Sequence, residues 1–162
     1  MIQSWQIFDY SSFPIFGDPD QTSKHLDALD ETGRSSGVDH GPKIMVIDDE
    51  TLIAETVVEI LKGEGFNAIS VSSGDLAVEL AKTMRPAVVL SDVMMPGLNG
   101  IETGIRIREI VPNCKIILFS GQAATGNLLE EARNSGHVFE ILAKPIKPAN
   151  LVSAIRASMP SH

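Results

Sequence analysis

The sequence predicts an α/β domain over residues 43–162: a doubly wound parallel sheet of five strands between two layers of helices. Three observations carry that expectation. From Lys43 onward, five short apolar runs alternate with five stretches of helical period. The runs are apolar throughout, as in strands covered by helices on both faces. Acids, a serine and a lysine collect at the ends of the runs, and ligands in such sheets bind beyond the carboxyl ends of the strands.

The first strand is KIMVIDD, bounded by Pro42 and ending in acids. In ETLIAETVVEILKGEGF, Leu52, Ile53, Thr56, Val57, Ile60 and Leu61 recur at helical spacing, and Gly63 and Gly65 stop the helix. NAISVSS is the second strand. SGDLAVELAKTMRP is a helix with Ser73 as its N-cap and Pro86 beyond its end. PAVVLSD is the third strand, and GIETGIRIREIVP a helix ended by Pro112. CKIILFS is the fourth strand, with Cys114 as a small buried residue at its start. ATGNLLEEARNSG is a helix stopped by Gly136, HVFEILAKP the fifth strand and KPANLVSAIRASM the last helix.

Residues 1–42 read differently. DPDQTSKHLDALDETGRSSGVDHGP sustains neither period and is rich in Asp, Ser, Gly and Thr, so this N-terminal extension is expected to be mostly disordered. Trp5, Phe8, Tyr10, Phe13 and Phe16 stand apart from that composition. A loose tail, a short docking motif and a segment folding back on the domain are all open readings, as is translation from Val38.

The net charge is −8, and it is uneven. Residues 1–42 hold seven Asp/Glu against two Lys/Arg, a net of −5; residues 43–162 hold fourteen against eleven, a net of −3. With no basic cluster at either end, direct binding to nucleic acid is not expected, since neutralising phosphates needs Lys and Arg. No apolar run is long enough to span a membrane. The N-terminus lacks the basic start and apolar stretch of a secretory signal. A single cysteine excludes an intrachain disulfide, and the cytoplasm is the expected compartment.

The chemistry is expected at the strand ends. Asp48 and Asp49 end the first strand, Asp92 the third, Ser120 and Gly121 the fourth, Lys144 and Pro145 the fifth. In a sheet of order 2-1-3-4-5 those ends are contiguous. Three packed carboxylates raise one another's pKa, and a divalent cation relieves the repulsion. Oxygen ligands without His or Cys select Mg²⁺. A carboxylate beside Mg²⁺ can attack phosphorus and form an aspartyl phosphate, with Lys144 and the Ser120 hydroxyl stabilising the transferred group. Taken singly, each residue has a plainer role: Asp48 and Asp49 as a cap and first-turn acid, Asp92 and Ser120 as turn residues, Lys144 as a solvated charge. Their coincidence at one end of the sheet argues for the joint role.

The motifs VIDDE (46–50), LSDVMMPGLNG (90–100), LFSG (118–121) and LAKP (142–145) resemble the receiver domain of two-component response regulators, over about Lys43 to Met159. The resemblance implies a flavodoxin-like fold and a phosphorylation-switched signalling module. Asp92 matches the phosphoacceptor. Asp49 matches the direct Mg²⁺ ligand, with Asp48 acting through water, and the Met94 carbonyl matches a further ligand. Ser120 matches the switch hydroxyl, Lys144 the lysine that pairs with the phosphoryl group, and Lys144–Pro145 a bond usually cis in the family. The Met94 and Met95 side chains are expected to fill gaps, because thioethers do not suit Mg²⁺.

The implied phosphodonor partner is a sensor histidine kinase or a phosphotransfer protein, and the downstream protein target is unknown. The usual contact face in the family is formed by helix four, strand five and helix five, and a homodimer would form through it. Here that face includes Asn127, Leu128, Glu131, Ala154 and Ile155. No output domain follows the last helix, so a single-domain receiver is expected. Such a protein is not an enzyme for a separate substrate; it catalyses only its own phosphotransfer and dephosphorylation.

Two alternatives belong to other classes. A Mg²⁺-dependent phosphohydrolase would carry Asp-x-Asp after the first strand, where this chain has Asp48-Asp49-Glu50. A receiver-like module that no longer takes phosphate is kept open by strand five. There, a position often Tyr or Phe is Ile141, Phe139 lies two residues earlier on the same side, and the Gly136–Lys144 spacing is one residue longer than usual in the family. A relay through Ile141, one through Phe139 and an output elsewhere all remain open. Gly121 leaves access to the phosphoryl group. Met94 and Gln122, which flank the path of an attacking water, offer no carboxylate to orient it. Self-dephosphorylation is therefore expected to be slow, and a lifetime of seconds for the purified phospho-form would contradict this.

Overall fold

A computed structural model of the chain describes residues 41–121 and 125–159. The expectation of a disordered extension over residues 1–42 falls outside these apart from Gly41 and Pro42. Five strands and five helices alternate: β1 (Lys43–Ile47), α1 (Thr51–Gly63), β2 (Asn67–Val71), α2 (Gly74–Met84), β3 (Val88–Asp92), α3 (Gly100–Ile110), β4 (Lys115–Ser120), α4 (Thr125–Asn134), β5 (Glu140–Ala143) and α5 (Pro148–Ser158). The sheet is parallel, with order β2-β1-β3-β4-β5, as the sequence predicts.

The central strands β1, β3 and β4 are buried on both faces. Met45, Ile47, Val89, Ile116 and Leu118 face one side, packed with Ala77 and Ala81 of α2, Ile101 and Ile107 of α3 and Ala132 of α4. Strand alternation sends Ile44, Val46, Leu90, Ile117 and Phe119 to the other side. There the buried residues of α1 and α5 close a second core layer. The edge strands depart from the uniformly apolar reading. Ile69 and Ser70 of β2 are exposed, and β5 has one half-buried residue among exposed ones, because an edge strand has a neighbour on one side only.

The helix ends follow local chemistry. The Ser73 hydroxyl accepts from the Leu76 amide, confirming the predicted cap. On α1, Leu52 is 72 % exposed and not on the core face; Ala54 and Val58 take the buried positions instead. Gly63 is still helical, and Gly65 at φ 86° makes the left-handed exit. Gly136 does the same after α4 at φ 88°. Asn99 caps α3: its side chain accepts from the Glu102 amide at 2.9 Å, and the Glu102 carboxylate accepts from the Asn99 amide at 3.1 Å.

The cap seats the loop after Asp92, so its loss should reach stability directly. Asn99→Ala is expected to cost about 1 kcal/mol in urea unfolding. An unchanged midpoint would mean that the cap is redundant with the packing of α3.

Candidate functional site

Four of the five strands deliver polar groups to the carboxyl end of the sheet. Asp48 and Asp49 directly follow β1, Asp92 is the last residue of β3, Ser120 the last of β4, and Lys144 the first residue after β5. Parallel registers align these ends: Ile47 lies opposite Ser91, Asp92 opposite Phe119, and Ser120 opposite Ala143. The structure therefore brings together Asp48, Asp49, Asp92, Ser120 and Lys144 as the sequence suggested. Met94 lies two residues past Asp92, with a side chain 53 % exposed, so it fills no gap; Met95 is buried in the core.

The acids converge. Asp48, Asp49 and Asp92 each offer a carboxylate oxygen, and these atoms lie within 4.8 Å of one another. The Lys144 Nζ stands 3.2 Å from Asp92 Oδ1, with both side chains largely shielded from water. The backbone holds Lys144 as well: its amide donates to the Ser120 carbonyl at 3.0 Å, and Lys144–Pro145 is cis.

Asp48 is the most strained of the acids electrostatically. Its Oδ1 accepts from the Glu50 amide at 2.9 Å, while Oδ2 is buried with no hydrogen-bond partner. Burial pushes this carboxyl up to about 7, and the Asp92 and Asp49 charges add to the rise; the Glu50 amide and Lys144 act the other way. An orphaned buried carboxylate oxygen beside two further carboxylates is what a hard divalent cation satisfies. The residues present thus fit Mg²⁺. Asp48, Asp49 and Asp92 would hold it, and its charge would offset theirs.

Two glycines fix the pocket's walls, and the sequence alone did not show it. A Cβ on Gly100 would collide with the Asp92 carbonyl and stand 3.0 Å from Val93 Cα. The Gly100 amide also donates to the Val93 carbonyl at 2.9 Å, and the buried Ser91 hydroxyl donates to the Asp92 carbonyl at 3.0 Å. A Cβ on Gly121 would stand 3.2 Å from Lys144 Cδ, so this residue gives room to the lysine stem as well as access to the pocket. The capping-box pattern Asn99-x-x-Glu102 was the readable sign that a helix begins at Gly100.

Fold and site together define an acidic pocket at the carboxyl end of a doubly wound parallel sheet. The sequence model of the response regulator receiver domain matches residues 44–156, and the chain belongs to that family. It is 30 % identical over 117 residues to the DNA-binding response regulator MtrA of Mycobacterium tuberculosis, covering 72 % of this chain and 50 % of MtrA. It is 29 % identical over 116 residues to the chemotaxis protein CheY of Thermotoga maritima, covering 71 % of this chain and 95 % of CheY. The chain thus spans about half the length of the MtrA relatives and nearly all of CheY. Among solved structures, a receiver domain protein of Clostridium thermocellum superposes with a TM-score of 0.66 at 28 % identity, over 72 % of this chain and 93 % of that one.

The raised carboxyl sets a pH dependence. The folded pKa of Asp48, about 7, lies above its ordinary 3.8, so the folded state binds the extra proton between these values. Metal-free protein should be most stable below about pH 4 as far as this group is concerned, and should lose that contribution as pH rises through 7. At about 1.4 kcal/mol per unit the loss is on the order of 4 kcal/mol. Asp48→Asn should flatten the profile. Mg²⁺ should raise the melting temperature more at about pH 8 than at about pH 6, where a proton competes for the same carboxylate. A Mg²⁺ effect independent of pH would remove Asp48 from the ligand set.

Proposed function

We propose that this chain is a phosphorylation-switched signalling module that accepts a phosphoryl group on Asp92. The observation that carries the proposal is the position of that carboxylate, paired at 3.2 Å with Lys144 and gathered with Asp48 and Asp49 at the ends of adjacent strands. In the reaction an Asp92 oxygen attacks phosphorus. The bond from phosphorus to the donor breaks and its electron pair leaves with the donor. A phosphohistidine on a histidine kinase or phosphotransfer protein is the natural donor, because its imidazole leaves readily once protonated. Mg²⁺, when bound by Asp48, Asp49, Asp92 and the Met94 carbonyl, supplies positive charge to the phosphoryl oxygens. Lys144 exchanges its contact with Asp92 for one with the new phosphoryl group, and Ser120 offers its hydroxyl to the same group.

The chain is not assigned a separate substrate; it catalyses its own phosphotransfer and dephosphorylation and then changes its protein contacts. Among the described residues no helix is long and apolar enough to cross a membrane, which suits a cytoplasmic module. The surface of α4, β5 and α5 is the assigned contact face for a downstream protein or a second copy. Its composition differs from the expected one: Ile155 is buried in the core, while Val138 and Ile141 are 64 % and 38 % exposed.

Intact-mass spectrometry after incubation with acetyl phosphate and Mg²⁺ tests the reading. One phosphoryl adduct is expected on the full chain and on a chain beginning at Val38, and none on Asp92→Ala. Lys144→Ala should still fold and bind Mg²⁺, but take up phosphate on the order of 10²-fold more slowly. No adduct on folded, Mg²⁺-binding protein would favour the phosphate-independent binding module.

A further inference from the structure

β5 is the part of the pocket that burial leaves least determined. It has four residues, lies at the sheet edge and is bonded to β4 alone. Only Leu142 is half-buried; Glu140, Ile141 and Ala143 are exposed. A strand with so little buried face specifies its register weakly, and a slip of one residue turns every side chain to the opposite face. Yet Lys144 follows directly, and its reach to Asp92 depends on Leu142 lying opposite Phe119 and Ala143 opposite Ser120.

The start of the strand is held by α3. Phe139, the residue before β5, lays its ring on the helix at Gly104. A Cβ on Gly104 would stand 3.1 Å from the ring Cε1 and 2.9 Å from Ile116 Cγ2, so the bare glycine makes the notch that admits the ring. One turn further along, Arg108 places its guanidinium carbon 4.7 Å from the ring centroid. Its Nη1 also donates to the Val138 carbonyl at 3.0 Å. The notch thus grips both a side chain and a backbone carbonyl just ahead of the strand, and buried Ile146 anchors the chain beyond it.

α3 itself begins at the acid pocket, where Gly100 abuts the Asp92 carbonyl. The contacts close a ring that runs from Asp92 through Gly100, α3, Phe139, β5 and Lys144 back to Asp92. We propose that Phe139, seated on Gly104 and held by Arg108, fixes the register of β5 and so aims Lys144 at Asp92. This rests on the phosphoacceptor reading above. Phe139 and Arg108 touch no reacting atom; they are positioning residues that act through Lys144. The same placement accounts for the fifth strand's departure from the family pattern: its aromatic residue is committed to α3, and Ile141 on the same side is left exposed.

The test is a double-mutant comparison of Phe139→Ala and Lys144→Ala, with phosphorylation rate, Mg²⁺ affinity and amide hydrogen exchange as readouts. Phe139→Ala is expected to slow phosphorylation by acetyl phosphate roughly tenfold and to leave Mg²⁺ affinity unchanged. It should add no further slowing in the Lys144→Ala background. Exchange at the Lys144 amide, which is bonded to the Ser120 carbonyl, should speed up relative to the Val93 amide, which is bonded to the Phe119 carbonyl. Arg108→Gln keeps the ring and should show the same pattern more weakly; it carries the test if Phe139→Ala does not fold. Undiminished phosphorylation, or equal slowing with and without Lys144, would overturn the proposal. If the wild-type chain takes no phosphoryl group, the phosphoacceptor reading fails instead. Exchange at the Lys144 amide then decides the positioning role alone: faster in the variants sustains it, unchanged sinks it.

Discussion

Three carboxylates held within 4.8 Å of one another repel, and the pocket is organised around containing that repulsion. Lys144 contributes one positive charge from the edge of the sheet, at 3.2 Å from Asp92. It does not neutralise the set. One buried oxygen of Asp48 keeps no partner, and its carboxyl is pushed to about 7 chiefly by burial. The site therefore stores unfavourable electrostatics that a divalent cation can relieve. Repulsion that is costly in the empty pocket is what gives the loaded pocket its affinity.

Such a cluster survives only on a rigid frame, and the frame is the doubly buried centre of the sheet. β1, β3 and β4 bring Asp48, Asp92 and Ser120 to the same level because their registers are fixed by burial on both faces. The loop after Asp92 is equally constrained. Gly97 turns at φ 73°, Asn99 caps α3, and Gly100 leaves no space against the Asp92 carbonyl. Buried Thr103 donates to the Asn99 carbonyl at 2.8 Å, and Gly74 of α2 packs against Thr103 with no room for a Cβ. The nucleophile candidate is thus set by main-chain geometry before any side-chain partner is considered.

What the sequence discloses follows from the same distinction. Apolar runs and their acidic ends were readable because central parallel strands have one strong signal, continuous burial. The carboxylate cluster follows from that signal once the motifs are seen together, the order of the sheet fits the receiver resemblance, and the contact of Lys144 with Asp92 came only from the structure. Less legible were effects of close approach. Nothing in GIETGIRI says that Gly104 receives an aromatic ring from a residue 35 positions later, or that Gly100 abuts a carbonyl. Leu52 departs from its expected place because helical spacing gives a stripe but not which edge of it meets the sheet, and Ile155 because the family's contact elements do not say which of their residues face outward. Met94 and Met95 are both expected to fill gaps because a thioether does not suit Mg²⁺, yet only Met95 is buried; adjacent residues on a loop need not share an environment.

The contrast between the two flanks of Asp92 gives the site its mechanical character. On one flank β1 is a central strand, and Asp48 and Asp49 inherit its rigidity. On the other flank Lys144 hangs on an edge strand of four residues with a single half-buried side chain. The carboxylates cannot move apart, so any adjustment to a bound phosphoryl group must come from the lysine side, where the chain is least constrained by burial. α3 is the element that limits this freedom, because it touches both flanks: Gly100 at the Asp92 carbonyl and Gly104 and Arg108 at the threshold of β5. The positions of the Asp92 main chain and of the strand that carries its counter-charge are thus tied to a single helix, and beyond that strand Val138 and Ile141 stand exposed.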